Sequence, residues 1–422
     1  MFRGWAVDGP HLQSILGICV IVALGWICSE NRRAVSFRQA AGGIALQAAV
    51  ALLLLKVPMA RRALFGLNGV VDTLSSATRT GTGFVFGYLG GGPTPFAVTD
   101  PASLVNFAFG VLPLVMVVSA LAAMLWYWRI LPAIVGAMAF LLKKTLGIGG
   151  AVGLGAAATM FLGNIEGQLV IRPYLSRLNR TELFILMTVG LSVISGTVFV
   201  LYATILKTVV AGALGHILIA SMMSLLSGIV MARMFIPGDA AAELPTGEGT
   251  IHYRSTMDAM AHGTEDGLRI YLQIIAMLVV TTSLVALANV ILGNLPHVAG
   301  APLTLERMLG WCFAPLAWLY GVPLKEAVAA GSLMGTKTIL NELIAYLRMA
   351  AMPKGTFDPR TTLILVYCMC GFANFASVGI LIAGMSALMP ERRDEIVPLA
   401  LKALVSGTLA SGLTGAMIGL LT

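Results

Sequence analysis

Charge is scarce in this 422-residue chain: 11% of residues are Asp, Glu, Lys or Arg, against 58% hydrophobic residues and a mean hydropathy of +0.90. So little charge excludes a string of soluble domains, which would need far more polar surface than this to face water. Cysteine is also sparse. The five residues Cys19, Cys28, Cys312, Cys368 and Cys370 all fall in apolar stretches, which excludes a disulfide framework and favours small buried thiols. Five histidines show no metal-ligand spacing, and no serine elbow or phosphate-cradling glycine loop followed by Lys-Ser or Lys-Thr occurs. An enzyme is not expected, and neither is a cofactor. The N-terminus lacks the ordered basic, apolar and small-residue segments of a cleaved signal, so none is expected.

What the chain has in abundance is long apolar runs. Segments 12–28, 42–55, 106–129, 183–206, 210–235, 270–292, 361–386 and 396–421 approach or exceed the roughly 20 residues that cross about 30 Å of hydrocarbon. They predict an all-α integral membrane protein of about eight transmembrane helices. The formal net charge of +8 comes from scattered pairs such as Arg32-Arg33, Arg61-Arg62 and Lys143-Lys144, which suit span ends facing anionic lipid. A nucleic-acid partner is not expected. The stretch 61–82 predicts an interfacial helix. The polar stretch 237–268, with Asp239, Glu243, Glu248, Arg254, Asp258, Glu265 and Asp266, predicts a connector whose part from 255 to 267 lies on a membrane surface as an amphipathic helix.

Two segments do not suit a straight span. Residues 146–171 carry seven glycines and Glu166, and residues 322–349 carry Gly331, Gly335, Lys337, Asn341 and Glu342. Carboxylates and glycines in this density are costly in a lipid-facing helix, whereas two short half-helices meeting at a tip keep their free backbone groups inside protein. Each segment therefore predicts a re-entrant hairpin. Each is followed by a helix with a polar break, Ser195-Gly196-Thr197 in the first case and 372–377 in the second, and Glu166 precedes Val198 by the same 32 positions that separate Glu342 from Asn374. Repeated broken helices point to a secondary transporter with its site at the repeat interface near midplane. The predicted organisation is 1–145 (N-terminal spans and interfacial helices), 146–236 (first repeat), 237–321 (connector and scaffold span) and 322–422 (second repeat).

Buried carboxylates call for a ligand, proton or cation. Glu166 and Glu342 are the candidates, with Arg172 and Lys337 as alternative structural partners. Asn374 and Ser377, three apart, can offer an amide and a hydroxyl to one ligand or join two packed helices. From Gly335 to Tyr346 the sequence Gly-Thr-Lys-Thr-Ile-Leu-Asn-Glu-Leu-Ile-Ala-Tyr resembles a signature of the concentrative nucleoside transporters. The likeness continues through Cys370–Ser377, Leu388–Arg393 and Gly407–Ser411, and earlier through Phe84–Leu89, Val111–Pro113 and Val170–Leu175.

The resemblance implies two re-entrant hairpins in an inverted repeat, a homotrimer in the cytoplasmic membrane of a bacterium, elevator-like movement, and a nucleoside carried with Na+ or H+. On the ribose side it implies Glu342, Asn374, Ser377, Phe372 and Asn341, and on the base side Gly163, Asn164, Ile165, Glu166 and Val198. For a cation it implies Thr159, Leu162 and Thr197. The first hairpin departs from the family: Asn164 shortens an amide, Ile165 replaces a hydroxyl, Thr159 stands where sodium-binding members place Asn, and Val193 where they place Thr or Ser. Base and ion choice are where divergence is expected.

Overall fold

The computed structural model describes residues 9–66, 68–98, 106–238, 251–298 and 300–422. Asp239, Glu243 and Glu248 of the connector lie outside the described residues. The chain opens with α1 (Gly9–Ile27) and α2 (Phe37–Lys56), the latter started by Ser36, whose hydroxyl accepts from the Gln39 N–H. One interfacial helix is expected over 61–82; two helices occur, α3 (Pro58–Gly66) and α4 (Asn68–Phe86). The span expected at 106–129 is α5 (Leu114–Tyr127), preceded by a π-turn at Phe107–Val111, and α6 (Ile130–Leu146) ends in Lys143 and Lys144.

The first hairpin descends as α7 (Gly150–Leu162), turns at Gly163–Ile165, and returns as α8 (Glu166–Leu169) and a 3-10 turn at Arg172–Arg177. The helix after it is broken into α9 (Arg180–Ser192) and α10 (Gly196–Leu206), and α11 (Ala213–Phe235) completes the unit. Then comes α12 (Thr256–Gly293), a single helix of 38 residues. The surface helix expected at 255–267 is therefore its first third. The methionines do not set its packing: Met257 is 66% exposed, and the buried face is Ala259, Gly263 and Gly267. These glycines let α12 approach α5, where a Cβ at Gly263 would stand 2.7 Å from the Ser119 carbonyl oxygen.

After α13 (Leu305–Leu319) the pattern recurs: α14 (Leu324–Ile339) and α15 (Glu342–Ala351) form the second hairpin, α16 (Pro359–Met369) and α17 (Phe375–Leu388) the second broken helix, and α18 (Arg393–Leu421) the final span. Seven helical segments are long and apolar enough to cross a membrane among the described residues, and α7 and α17 are shorter apolar helices. The two breaks cross each other. The Phe372 N–H donates to the Val193 carbonyl at 3.3 Å, and a Cβ at Gly371 would come within 2.4 Å of the Ser192 carbonyl oxygen. Main chain thus meets main chain where both helices are unwound, and the freed backbone groups of one break serve the other.

Outside the apolar region, the α1–α2 loop is tied to the repeats by ions. Glu30 accepts from Arg180 at 2.9 Å and from Lys402 at 2.5 Å, and the Arg180 hydrogen bond, with Lys402 adding to it, holds its carboxyl down at about 2.

Candidate functional site

Three of the helices that restart inside the protein do so with a capping side chain. Ser195 caps α10, Asn341 caps α15 by accepting from the Ile344 N–H at 2.9 Å, and Asn374 caps α17 by accepting from the Ser377 N–H at 2.7 Å. Local sequence explains this, since Asn and Ser satisfy the orphan N–H groups of a helix start. The three N-termini converge on one cavity of ≈ 210 Å³.

The polar focus is Glu342, the first residue of α15 and 3% exposed. Its Oε1 accepts from the Tyr202 hydroxyl at 2.6 Å and its Oε2 from the Asn374 amide at 3.0 Å. Each oxygen keeps a further acceptor site for a ligand. Lys337, the alternative partner from sequence, is buried but is not within ion-pair distance, so the carboxylate is held by neutral donors and by the positive end of α15. Tyr202 is held in turn by the ring of Tyr346, edge-on at 5.4 Å, whose hydroxyl donates to the Val366 carbonyl at 2.9 Å. Asn374 spends its oxygen on the cap and one N–H on Glu342. Ser377 keeps its hydroxyl unbonded among the described residues, and Phe372 lies half-buried in the same wall.

On the opposite side, Gly163, Asn164, Ile165, Glu166 and Val198 line the cavity. Gly163 has φ +119°, and a Cβ there would meet the Glu166 Oε2 at 2.7 Å, so glycine is needed both for the turn and for the carboxylate. Glu166 opens α8 and forms no ion pair with Arg172, whose side chain is exposed. It also borders a second cavity that reaches Tyr253 and Asp266. By helix position the counterpart of the cap Asn374 is Ser195, not Val198. The equal spacing of 32 therefore pairs a cap with a wall residue one turn into α10.

Two polar side chains of the cavity wall have no place in the sequence reading. Tyr202 lies one turn beyond Val198 on α10, where a four-residue step along the helix would have found it. Gln273 lies with Ile270, Ile274 and Met277 on α12, which sequence alone assigns to a plain span.

Paired hairpins, crossed helix breaks and a buried carboxylate at their meeting point define a secondary transporter of the repeat type. The comparisons specify which. Residues 16–89 and 216–419 match the N- and C-terminal parts of the Na+ dependent nucleoside transporters, and 108–209 match a gate segment described by nucleoside recognition. The nucleoside permease NupC of Helicobacter pylori is 32% identical over 415 residues, covering 97% of each chain. The solved transporter CNTnw, in an inward-facing substrate-bound state, superposes with a TM-score of 0.87 at 33% identity over 97% of each chain. A doubly substituted variant of it in an outward-facing state gives 0.88 at 32% over 98% of each. The chain belongs to the Na+ dependent nucleoside transporter family, a family of carriers and not of enzymes.

The ion in the family description can be tested against the residues. A hard cation needs several free oxygens. Thr159, which does not line the main cavity, donates to the Gly155 carbonyl at 2.8 Å and accepts from the Gln168 amide at 3.1 Å. The Thr197 and Ser195 hydroxyls bond each other at 2.7 Å, Val193 has no side-chain oxygen, and its carbonyl accepts from Phe372. So arranged, Val193 gives no side-chain ligand and the Thr159, Ser195 and Thr197 hydroxyls take part in hydrogen bonds within the protein, each oxygen keeping a lone pair that a cation could use.

Proposed function

We propose that this chain is a nucleoside symporter of a bacterial cytoplasmic membrane, working as a homotrimer by alternating access. The two hairpin repeats (146–236 and 322–422) carry the ligand, elevator-like, past the spans of 1–145 and 237–321. Glu342, Asn374 and Ser377 take the ribose hydroxyls, Asn341 stands beside them as the cap that fixes Glu342, and Phe372 packs on the sugar. Gly163, Asn164, Ile165, Glu166 and Val198 form the base side. The observation that carries this reading is the geometry at Glu342: a buried carboxylate with one protein donor on each oxygen and open acceptor capacity toward the cavity, which suits a pair of vicinal hydroxyls.

The driving ion is a cation. The family description favours Na+, through Thr159, Leu162 and Thr197 after rearrangement. The hydrogen bonds of Thr159 with Gln168 and of Thr197 with Ser195, together with the apolar Val193, favour a second reading, H+, with a hairpin carboxylate as carrier. Uptake of a labelled nucleoside panel into proteoliposomes, under sodium and proton gradients imposed separately, tests both. Accumulation under one gradient alone identifies the ion, and no accumulation under either refutes the symporter.

A further inference from the structure

Recognition of a nucleobase needs hydrogen-bonding groups that face its edge, and the first hairpin presents few. The Asn164 oxygen is turned into protein: Oδ1 lies over Gly190 of α9, where a Cβ would come within 2.1 Å, and it is buried without a hydrogen-bond partner, which leaves only the Nδ2 of this residue to the cavity that it lines. Ile165 places its branched side chain in the notch over Gly384 of α17, where a Cβ would stand 2.3 Å from its Cδ1. Glu166 remains, and an ionised carboxylate only accepts.

The facing wall is α12, which lays Ile270, Gln273, Ile274 and Met277 along one stripe at i, i+3, i+4 and i+7. Gln273 is the single polar side chain that this helix gives to the cavity, is exposed, and makes no hydrogen bond to a described residue. An amide without a partner on an apolar stripe is expensive in a membrane protein unless a ligand or water uses it.

We propose that Gln273 reads the base, as a specificity-determining residue that supplies from the scaffold side the paired donor and acceptor that Asn164, with its oxygen buried, does not present. This rests on the nucleoside reading above. An amide gives one donor and one acceptor side by side, and Glu166 takes one more N–H. A base with an exocyclic amino group next to a ring nitrogen satisfies all three, because its amino group has one N–H for Gln273 and another for Glu166, while the ring nitrogen accepts from Gln273. Its oxo counterpart has a single ring N–H on that edge, for which the two side chains compete. The favoured ligand class is therefore the amino-bearing nucleosides.

The test compares pairs that differ only in amino versus oxo, cytidine against uridine and adenosine against inosine, by competition for uptake and by equilibrium binding to the purified protein. One neutral hydrogen bond corresponds to about tenfold. The wild type should prefer the amino member by about that factor, Gln273→Leu should bring the ratio near one, and Gln273→Asn should restore part of it. Reading a ratio separates lost selectivity from a general loss of binding, and Gln273→Glu, which removes the amide donors but keeps the shape, gives the same ratio should the leucine variant bind neither member. A wild-type ratio of one, or a ratio unchanged in the leucine and glutamate variants, overturns the assignment alone. A wild type that binds no nucleoside overturns it together with the proposed function.

Discussion

The Glu342 cluster allows a quantitative test by a double-mutant cycle. Tyr202→Phe removes the 2.6 Å hydrogen bond to Oε1 while keeping the ring that packs edge-on against Tyr346. Glu342→Gln keeps the shape but removes the charge. The amide must then turn its oxygen toward Asn374, because an NH2 there would face the Asn374 NH2, and its own NH2 falls opposite Tyr202. A hydrogen bond to a charged group contributes about 1.5–3 kcal/mol, and each 1.4 kcal/mol is tenfold in affinity. Ligand binding feels only the orienting part of the Tyr202 bond, so Tyr202→Phe should weaken ribonucleoside affinity about tenfold, and Glu342→Gln about a hundredfold. Since Tyr202 acts through Glu342, the double variant should lie close to Glu342→Gln and well short of the thousandfold product, a coupling of about 1.4 kcal/mol. The assay is calorimetric titration of a ribonucleoside and its 2′,3′-dideoxy analogue, with thermal melting to show that each variant is folded. The analogue should bind the wild type weakly and be indifferent to Glu342→Gln. Additivity within about 0.5 kcal/mol, or equal losses for both ligands, would refute the ribose assignment.

Three further outcomes follow from single positions. Gly163→Ala puts a Cβ on a residue with φ +119° and 2.7 Å from Glu166 Oε2; it should cost about 1–3 kcal/mol of stability and sharply reduce uptake, checked by melting and proteoliposome transport, and wild-type behaviour would mean that the turn relaxes freely. Ile165→Thr shortens the side chain that fills the notch over Gly384 and adds a hydroxyl at the base side, so the order of competing nucleosides should change; an identical competition profile would remove Ile165 from base choice. Glu30 has its carboxyl lowered to about 2 by Arg180 and Lys402, so its ion pairs stabilise the protein fully above the ordinary value near 4.5 and progressively less as pH falls from there toward 2. For this solvent-screened site the effect is about 1 kcal/mol, and melting curves of Glu30→Gln should converge with wild type at the acid end of that window, whereas a pH-independent gap would contradict the pairing.

The positions of the spans, hairpins and breaks were legible in the sequence because their cause is local. Apolar runs of span length need lipid, glycine-rich segments with Glu166 or Glu342 cannot be straight lipid-facing helices, and Asn341 and Asn374 are side chains that begin helices wherever they stand. The carboxylates stood out for the same reason: charge in apolar sequence is costly and therefore visible. The sequence misplaced what depends on neighbours. The start of α12 has the pattern of a surface helix, yet Gly263 and Gly267 dock it on α5, a choice made by a partner helix about 140 residues earlier. Val198 matches Asn374 by spacing, but Ser195 matches it as a cap, since one break is unwound over a different number of residues from the other.

Sequence by itself determined a membrane carrier with two acidic hairpins and, at Glu342, a motif resembling that of the nucleoside transporters. Only the tertiary structure decided that Tyr202 and Asn374 divide the oxygens of Glu342, that the Asn164 oxygen is buried against Gly190, that the Thr159 and Thr197 hydroxyls take part in hydrogen bonds within the protein, and that Gln273 of a distant helix completes the wall. The physical reason is that a helix declares its apolar content through its own residues, but which of its polar side chains meets a ligand, and which is consumed by another helix, is fixed by packing between segments as far apart as the 140 residues between Tyr202 and Glu342.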